Sequence, residues 1–179
     1  MRKLLHPQLA PLHAAFVCQG ELWLVLQLHA CGSCADIMRW SRPSGLEENA
    51  SLAIVRDVAL GLAYLHGHGV LHRQLKSSNV LIDAQGAVRL IDYGLSSNLF
   101  EGGERRSRAA TFVGTPAWLA PEVLEQTGGY GSSADVWSLG ITVIELCTGS
   151  CPYAGLPPLK VMLQVLQGEL PRLADSFSL

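Results

Sequence analysis

The chain is poor in charge and in aromatic side chains. Asp, Glu, Lys and Arg together make up 16% of its residues, and Phe, Trp and Tyr make up 7%. Its formal charge at neutral pH is −2. The basic excess that would serve a nucleic acid or an anionic membrane surface is missing, so neither is expected as a partner. No apolar run reaches transmembrane length and no charged-then-apolar leader opens the chain, which leaves no signal for insertion or secretion. Internal repeats and low-complexity tracts are absent too. The 5 cysteines are odd in number and scattered, which fits reduced thiols in a cytoplasmic setting rather than a disulfide framework.

A zinc centre is the next reading to fall. Cys31-Gly32-Ser33-Cys34, with His29 nearby, has the spacing of half a site, but no second ligand pair follows. The turn-forming Gly32 and Ser33 account for the segment instead. Cys147 and Cys151 straddle a helix end and read as small buried hydrophobes. What the chain does have is an apolar half, with hydrophobic residues at 49%, accompanied by 18 Gly and 9 Pro. At 179 residues that composition describes one loop-rich globular domain with a proper core.

Periodicity divides the chain into short strands followed by helices. His6 to His29 reads as two extended segments joined by a turn at Gln19-Gly20, with Glu21 to Leu28 apolar enough for a buried strand. A short helix is expected around Cys34 to Trp40, broken by Arg42-Pro43-Ser44-Gly45. From Glu47 to His66, Leu52, Val55, Val58, Ala59, Leu62, Ala63 and Leu65 recur at helical spacing, and Gly67 or Gly69 ends the helix. Val80 to Ile82 and Val88 to Ile91 form a hairpin around Asp83-Ala84-Gln85-Gly86. Residues 94–120 lack a period and read as a long functional loop, in which Arg105, Arg106 and Arg108 form a solvated cluster. A helix from Ser133 to Thr148 is apolar nearly throughout and reads as buried on all sides. A last helix follows Pro157-Pro158 and carries Leu159, Val161, Met162, Val165 and Leu166.

Five short motifs stand in a fixed order on this framework. His72-Arg73-Gln74-Leu75-Lys76-Ser77-Ser78-Asn79 precedes the hairpin, and Asp92-Tyr93-Gly94 follows its second strand. Gly114-Thr115-Pro116 and Ala120-Pro121-Glu122 close the long loop. Asp135-Val136-Trp137-Ser138-Leu139-Gly140 opens the apolar helix. The order resembles that of the protein kinases, whose catalytic loop reads H-R-D-x-x-x-x-N and whose metal-binding turn reads D-F-G. The stretches Glu21 to Val25, Thr111 to Val123, Gly129-Tyr130 and Pro157 to Lys160 resemble the sterile-20-like, germinal-centre group of serine/threonine kinases. Within that group, Gly129-Tyr130 before Ala134 to Ser138, and Pro157 to Lys160, are particularly similar to the oxidative-stress-responsive branch. The resemblance covers essentially the whole chain. It implies an α+β protein-kinase-like fold, with 1–28 as a remnant of the N-terminal lobe and 29–179 as the helical C-terminal lobe, incomplete at its end.

The resemblance also assigns roles. Gln74 occupies the place of the base Asp, Lys76 would contact the transferred phosphate, and Thr115 would support serine/threonine selectivity. Asn79 and Asp92 would hold Mg2+. Leu26 would be the gatekeeper, the backbone of Gln27, Leu28 and His29 would hydrogen-bond the adenine of ATP, and Leu81 would floor its pocket. Leu12, His72 and Tyr93 would stack as a regulatory spine, Tyr93 needing a partner for its hydroxyl. Asp135 would brace the catalytic-loop backbone. Thr111 stands where the group carries an activating phosphothreonine, and Arg73 could pair with that phosphate.

Two departures set the expectation for activity. Gln is neutral and takes up no proton near neutral pH. The sequence also contains no G-x-G-x-x-G loop and no strand lysine of the V-A-I-K type, the parts that cover and clamp ATP phosphates. Nor does it contain the arginine expected to pair with Glu122. The polypeptide therefore reads as a fragment, an incomplete gene model, or a shortened form that needs a partner. As a family member it would transfer phosphate from ATP to protein hydroxyls, weakly or not at all. The alternative is a pseudokinase adaptor that binds a partner kinase; adaptors of the sterile-20-related kind also lack the catalytic-loop Asp. A degenerate product without stable function is the third reading.

Overall fold

The computed structural model describes residues 4–93, 100–101, 104–105, 114–126, 128–174 and 177. Strands β1 (Leu12–Cys18) and β2 (Glu21–Leu26) pair antiparallel. Gln19 and Gly20 between them both have positive φ, 51° and 80°. That is the two-residue turn whose twist suits a hairpin. After α1 (Cys34–Ser41) and α2 (Glu48–Gly67) comes a second antiparallel pair, β3 (Val80–Ile82) and β4 (Val88–Leu90). A third, minimal pair, β5 (Phe100–Glu101) and β6 (Glu104–Arg105), lies in the segment the sequence leaves without a period. Helices α3 (Pro121–Glu125), α4 (Ser133–Thr148) and α5 (Pro158–Gln167) complete the α+β fold.

The Cys31 to Cys34 segment is a turn and a helix cap. Gly32 has φ of 72°, and Ser33 and Asp36 form a reciprocal capping box at the start of α1. Their side chains satisfy two N–H groups that the first helical turn leaves without partners.

The main core gathers around α2. Ile54, Val58, Leu62 and Leu65 pack with Leu9, Cys34, Met38, Leu75, Val80, Val88, Leu90 and Leu146. The buried face of α2 is not quite the one its spacing predicts. Ser51, Ile54 and Gly61 are inside, while Leu52, Ala59 and Ala63 are exposed. Gly61 is inside because Leu90 crosses there: a Cβ on Gly61 would meet the Leu90 side chain at 2.8 Å. The N-terminal segment is pinned to the same strand, with Ala10 N–H donating to Leu90 O at 2.9 Å and Leu90 N–H to Gln8 O at 2.8 Å.

Two further expectations are corrected. Helix α4 is not buried all round, since Val136 is 61% exposed and Gly140 also faces solvent. Strand β2 is exposed along its whole length, as is β1. Alternation puts Phe16, Trp23 and Val25 on one face of this hairpin and Val17, Leu22 and Leu24 on the other. Both faces are therefore apolar and uncovered among the described residues. The apolar run in β2 marks a strand made for burial, and burial needs layers that these residues do not provide.

Candidate active site

The loop His72 to Asn79 is held from below by one carboxylate. Asp135, near the start of α4 and 1% exposed, accepts the His72 backbone N–H on Oδ2 at 2.9 Å and the Arg73 N–H on Oδ1 at 2.8 Å. His66 Nε2, from the last turn of α2, donates to Oδ2 at 2.7 Å. Burial alone raises a carboxyl pKa, but here the hydrogen bonds from His66, Arg73 and His72 outweigh it and the net direction is down. The Asp135 anchor matters because Arg73 is strained. Its φ is 65°, a conformation that costs an ordinary residue roughly 1–2 kcal/mol.

Beyond Arg73 the loop closes on itself. Gln74 N–H donates to His72 Nδ1 at 3.3 Å, and Gln74 O accepts from Asn79 Nδ2 at 2.7 Å. The Asn79 amide nitrogen is thus committed, leaving Oδ1 as the atom a cation could use. Ile91 N–H donates to Asn79 O at 3.0 Å, which brings Asp92 alongside. Asp92 is exposed and has φ of 61°, a second strained residue at the same place. An amide oxygen and a carboxylate are the hard donors that Mg2+ takes, with phosphate and water completing its shell. Lys76 Nζ donates to Thr115 Oγ1 at 3.2 Å, joining the loop to the turn before α3.

The spine residues are only partly assembled. His72 is fully buried, and Tyr93 packs against the main core with its hydroxyl donating to Ala10 O at 2.8 Å. Leu12 stays 39% exposed. Leu26, Gln27 and Leu28 are exposed as well, Leu28 by 88%. The chain then turns in. His29 is buried, Cys31 N–H donates to Ile82 O and Ile82 N–H to Gly32 O, and Ser33 bridges Leu81. The segment after Leu28 and half-buried Leu81 therefore share one wall.

The protein kinase domain family matches residues 1–172. The chain belongs to the protein kinase family. Its similar relatives are serine/threonine kinases of the sterile-20 and germinal-centre group. It is 43% identical over 94% of its length to "Serine/threonine-protein kinase fray2" of Dictyostelium discoideum, spanning 16% of that protein. It is 41% identical over 94% of its length to "Germinal center kinase 3" of Caenorhabditis elegans, spanning 30% of it. With "Serine/threonine-protein kinase sid1" of Schizosaccharomyces pombe it shares 41% identity over 93% of its length, spanning 34% of that protein. The chain therefore covers about a sixth to a third of the length of these relatives.

Among the kinase motifs, those on the loop, on the strand end at Asp92 and on the turn at Thr115 come together in space. Thr111, Arg106 and Arg108 lie outside the described residues, as does Gly94. Glu122, which the family pattern pairs with an arginine, accepts from Ser133 Oγ at 3.0 Å. No helix of the described residues is long and apolar enough to cross a membrane.

Reading the sequence alone misses two side chains that support the loop, His66 through Asp135 and Glu145 through Ser77. His66 is the partner of Asp135, and nothing in the helical period of α2 distinguishes it from a surface histidine. Glu145 could have been found. It is the one acidic residue inside the apolar run Ile141 to Cys147, and an acid there must either break the burial or be paired.

Proposed function

We propose that this chain belongs to a serine/threonine protein kinase whose catalytic loop is assembled but lacks its base, so that phosphotransfer from ATP to protein hydroxyls is weak. One observation carries the reading. The loop backbone is held by Asp135, and Asn79, Lys76 and Thr115 are positioned, while Gln74 supplies no acceptor for a proton. In this reading 1–28 belongs to the nucleotide-side lobe and 29–179 to the substrate-side lobe. Asn79 and Asp92 would hold Mg2+, which would supply positive charge to offset that of the ATP phosphates. Leu26, the backbone of Gln27 to His29, and Leu81 border the adenine. A phosphate on Thr111 would be received by Arg73.

Phosphoryl transfer depends mainly on positioning and charge, so a loop that keeps its geometry without its base retains some rate. A missing general base typically costs about 10²–10⁴-fold. The test is phosphotransfer to a generic serine-containing protein by the full-length polypeptide and by its Gln74→Asp variant. We expect at least about a tenfold gain. Equal rates would refute the claim that position 74 limits the reaction.

The second reading, an adaptor that binds a partner kinase, is favoured by the β1–β2 hairpin, apolar on both faces and exposed. The 179-residue polypeptide contains neither a glycine-rich loop nor a strand lysine. On its own it should gain little thermal stability from ATP with Mg2+. A clear metal-dependent gain would contradict that expectation.

A further inference from the structure

A cavity of about 380 Å³ opens beside the N-terminal segment, and no residue of the catalytic loop lines it. Its wall is mostly apolar, formed by Leu4, Leu5, Pro7, Leu9 and Pro11. Two polar side chains complete it, His6 and Arg89, and neither is acidic. The wall is fixed in place from behind. Ala10 N–H donates to Leu90 O and Leu90 N–H to Gln8 O. The His6 ring stacks on Tyr64 with centroids 4.5 Å apart, and Leu5 N–H donates to the Tyr64 hydroxyl at 3.3 Å.

Arg89 is a cation without a counterion. Its Nε is buried and bonds to nothing among the described residues, and it forms no ion pair among them. A guanidinium stays charged at any accessible pH and offers a planar fork that matches a carboxylate. Its field reaches His29, which is 5% exposed and has both ring nitrogens unpartnered. Burial first, and then the Arg89 charge, hold the His29 pKa below its ordinary 6.5. Asp83 acts on His29 in the opposite sense, but its Oδ1 is spent on its own turn, accepting Gln85 N–H at 3.0 Å and Ala87 N–H at 2.8 Å. His6 adds a second donor to the cavity. Its Nδ1 accepts from Gln8 N–H at 3.4 Å, so the proton of the neutral ring sits on Nε2.

We propose that this cavity binds a small monocarboxylic acid, with the carboxylate on Arg89 and the alkyl chain against Leu4, Leu5, Leu9 and the two prolines. The proposal does not depend on the phosphotransfer reading. Charge and polarity choose the ligand: one unpaired cation asks for one anionic group, and the apolar remainder of the wall asks for hydrocarbon. Leu5, 70% exposed, would be covered by that hydrocarbon. The volume stands near the low end for small-molecule sites, which suits a short chain. A peptide strand is a poorer match, because it would need backbone partners. Those of Leu90, next to Arg89, are already taken by Gln8 and Ala10.

The experiment titrates the 15N-labelled full-length polypeptide with octanoate and, separately, with 1-octanol, which has the same chain and no charge. We expect octanoate to shift the Leu5 amide and the Arg89 Nε–H saturably, and octanol to bind at least about tenfold more weakly. Arg89→Gln should weaken octanoate by about tenfold and leave octanol unchanged. Leu5→Glu, at an exposed position, sets a carboxylate on the same wall and should weaken octanoate as well, so the site is still tested if one variant fails to fold. A carboxylate beside Arg89 offsets its field, so the His29 ring should titrate at a higher pH in saturating octanoate. Equal affinity for octanoate and octanol would overturn the proposal, as would octanoate binding that both substitutions leave unaltered. The latter is the result expected if the exposed β1–β2 hairpin takes up the octanoate instead. No saturation up to about 10 mM would overturn it equally.

Discussion

His66 and Asp135, 69 residues apart in the chain, meet at 2.7 Å beneath the catalytic loop. Their contact joins the end of α2 to the start of α4, and the same carboxylate carries the backbone of His72 and Arg73. Replacing Asp135 by Asn would swap one acceptor for a donor facing other donors. We expect a loss of roughly 3 kcal/mol in stability, measured by urea unfolding. A loss comparable to that of an exposed Glu125→Gln control would show that the loop does not depend on this anchor.

Stability should fall on the acid side in stages. Burial holds the His72 pKa below its ordinary 6.5, the Asp135 charge only partly opposing it. The folded state therefore binds fewer protons there than the unfolded chain, and this contribution, complete above pH 6.5, is lost as the pH drops through the lowered value. Asp135 follows: its contribution is complete above 3.8 and is lost as the pH falls through its own lowered value. Glu145 acts in the opposite sense. Its raised pKa means that ionising it, from pH 4.5 up through the raised value, costs stability. A Glu145→Gln variant, lacking that compensation, should lose more in Tm than the parent between pH 7 and pH 4.5. Parallel Tm profiles would contradict the assignment.

Gly149 and Gly86 should answer differently to alanine. Both have positive φ, 79° and 81°. A Cβ on Gly149 would run into Pro43 O and Gly45 N, whereas a Cβ on Gly86 meets nothing within 4 Å. Gly86→Ala should therefore cost only the backbone strain, about 1 kcal/mol. Gly149→Ala adds a clash with backbone that cannot give way, for roughly 3 kcal/mol in all. Thermal unfolding of the two variants side by side checks the ranking.

The thiols around the first turn should separate by reactivity. Cys34 is completely buried, and burial together with the Glu145 charge pushes its pKa up to about 12. Cys31 and Cys18 are exposed. At pH 8 a disulfide reagent should label Cys31 and Cys18 quickly, and Cys34 only at the rate of unfolding. Rapid labelling of Cys34, located by peptide mass, would mean that α1 opens locally.

Much of the fold is legible in the residues because it is local. The Gln19-Gly20 hairpin, the Ser33 and Asp36 cap and the proline start of α5 follow from preferences acting over a few positions. Burial is less legible. The period of α2 suggests a face containing Leu52 and Ala59, yet Leu90 packs on Gly61 and turns the helix so that Ser51 and Ile54 go inside. The β1–β2 hairpin reads as buried because its composition is that of a covered strand. Composition records what a segment is suited to bury and cannot say which layer does the covering.

The sequence by itself determined the family, through motifs whose order along the chain is unmistakable, and it determined that Gln74 cannot act as a base, since that is a property of the side chain alone. The tertiary structure decided how those motifs share supports. Asp135 reaches back to His66, His72 and Arg73, and Glu145 joins Ser77 to Trp118, across separations of 27 to 69 residues. Contacts of that range depend on helix packing and on the burial of charge, and neither leaves a period in the sequence.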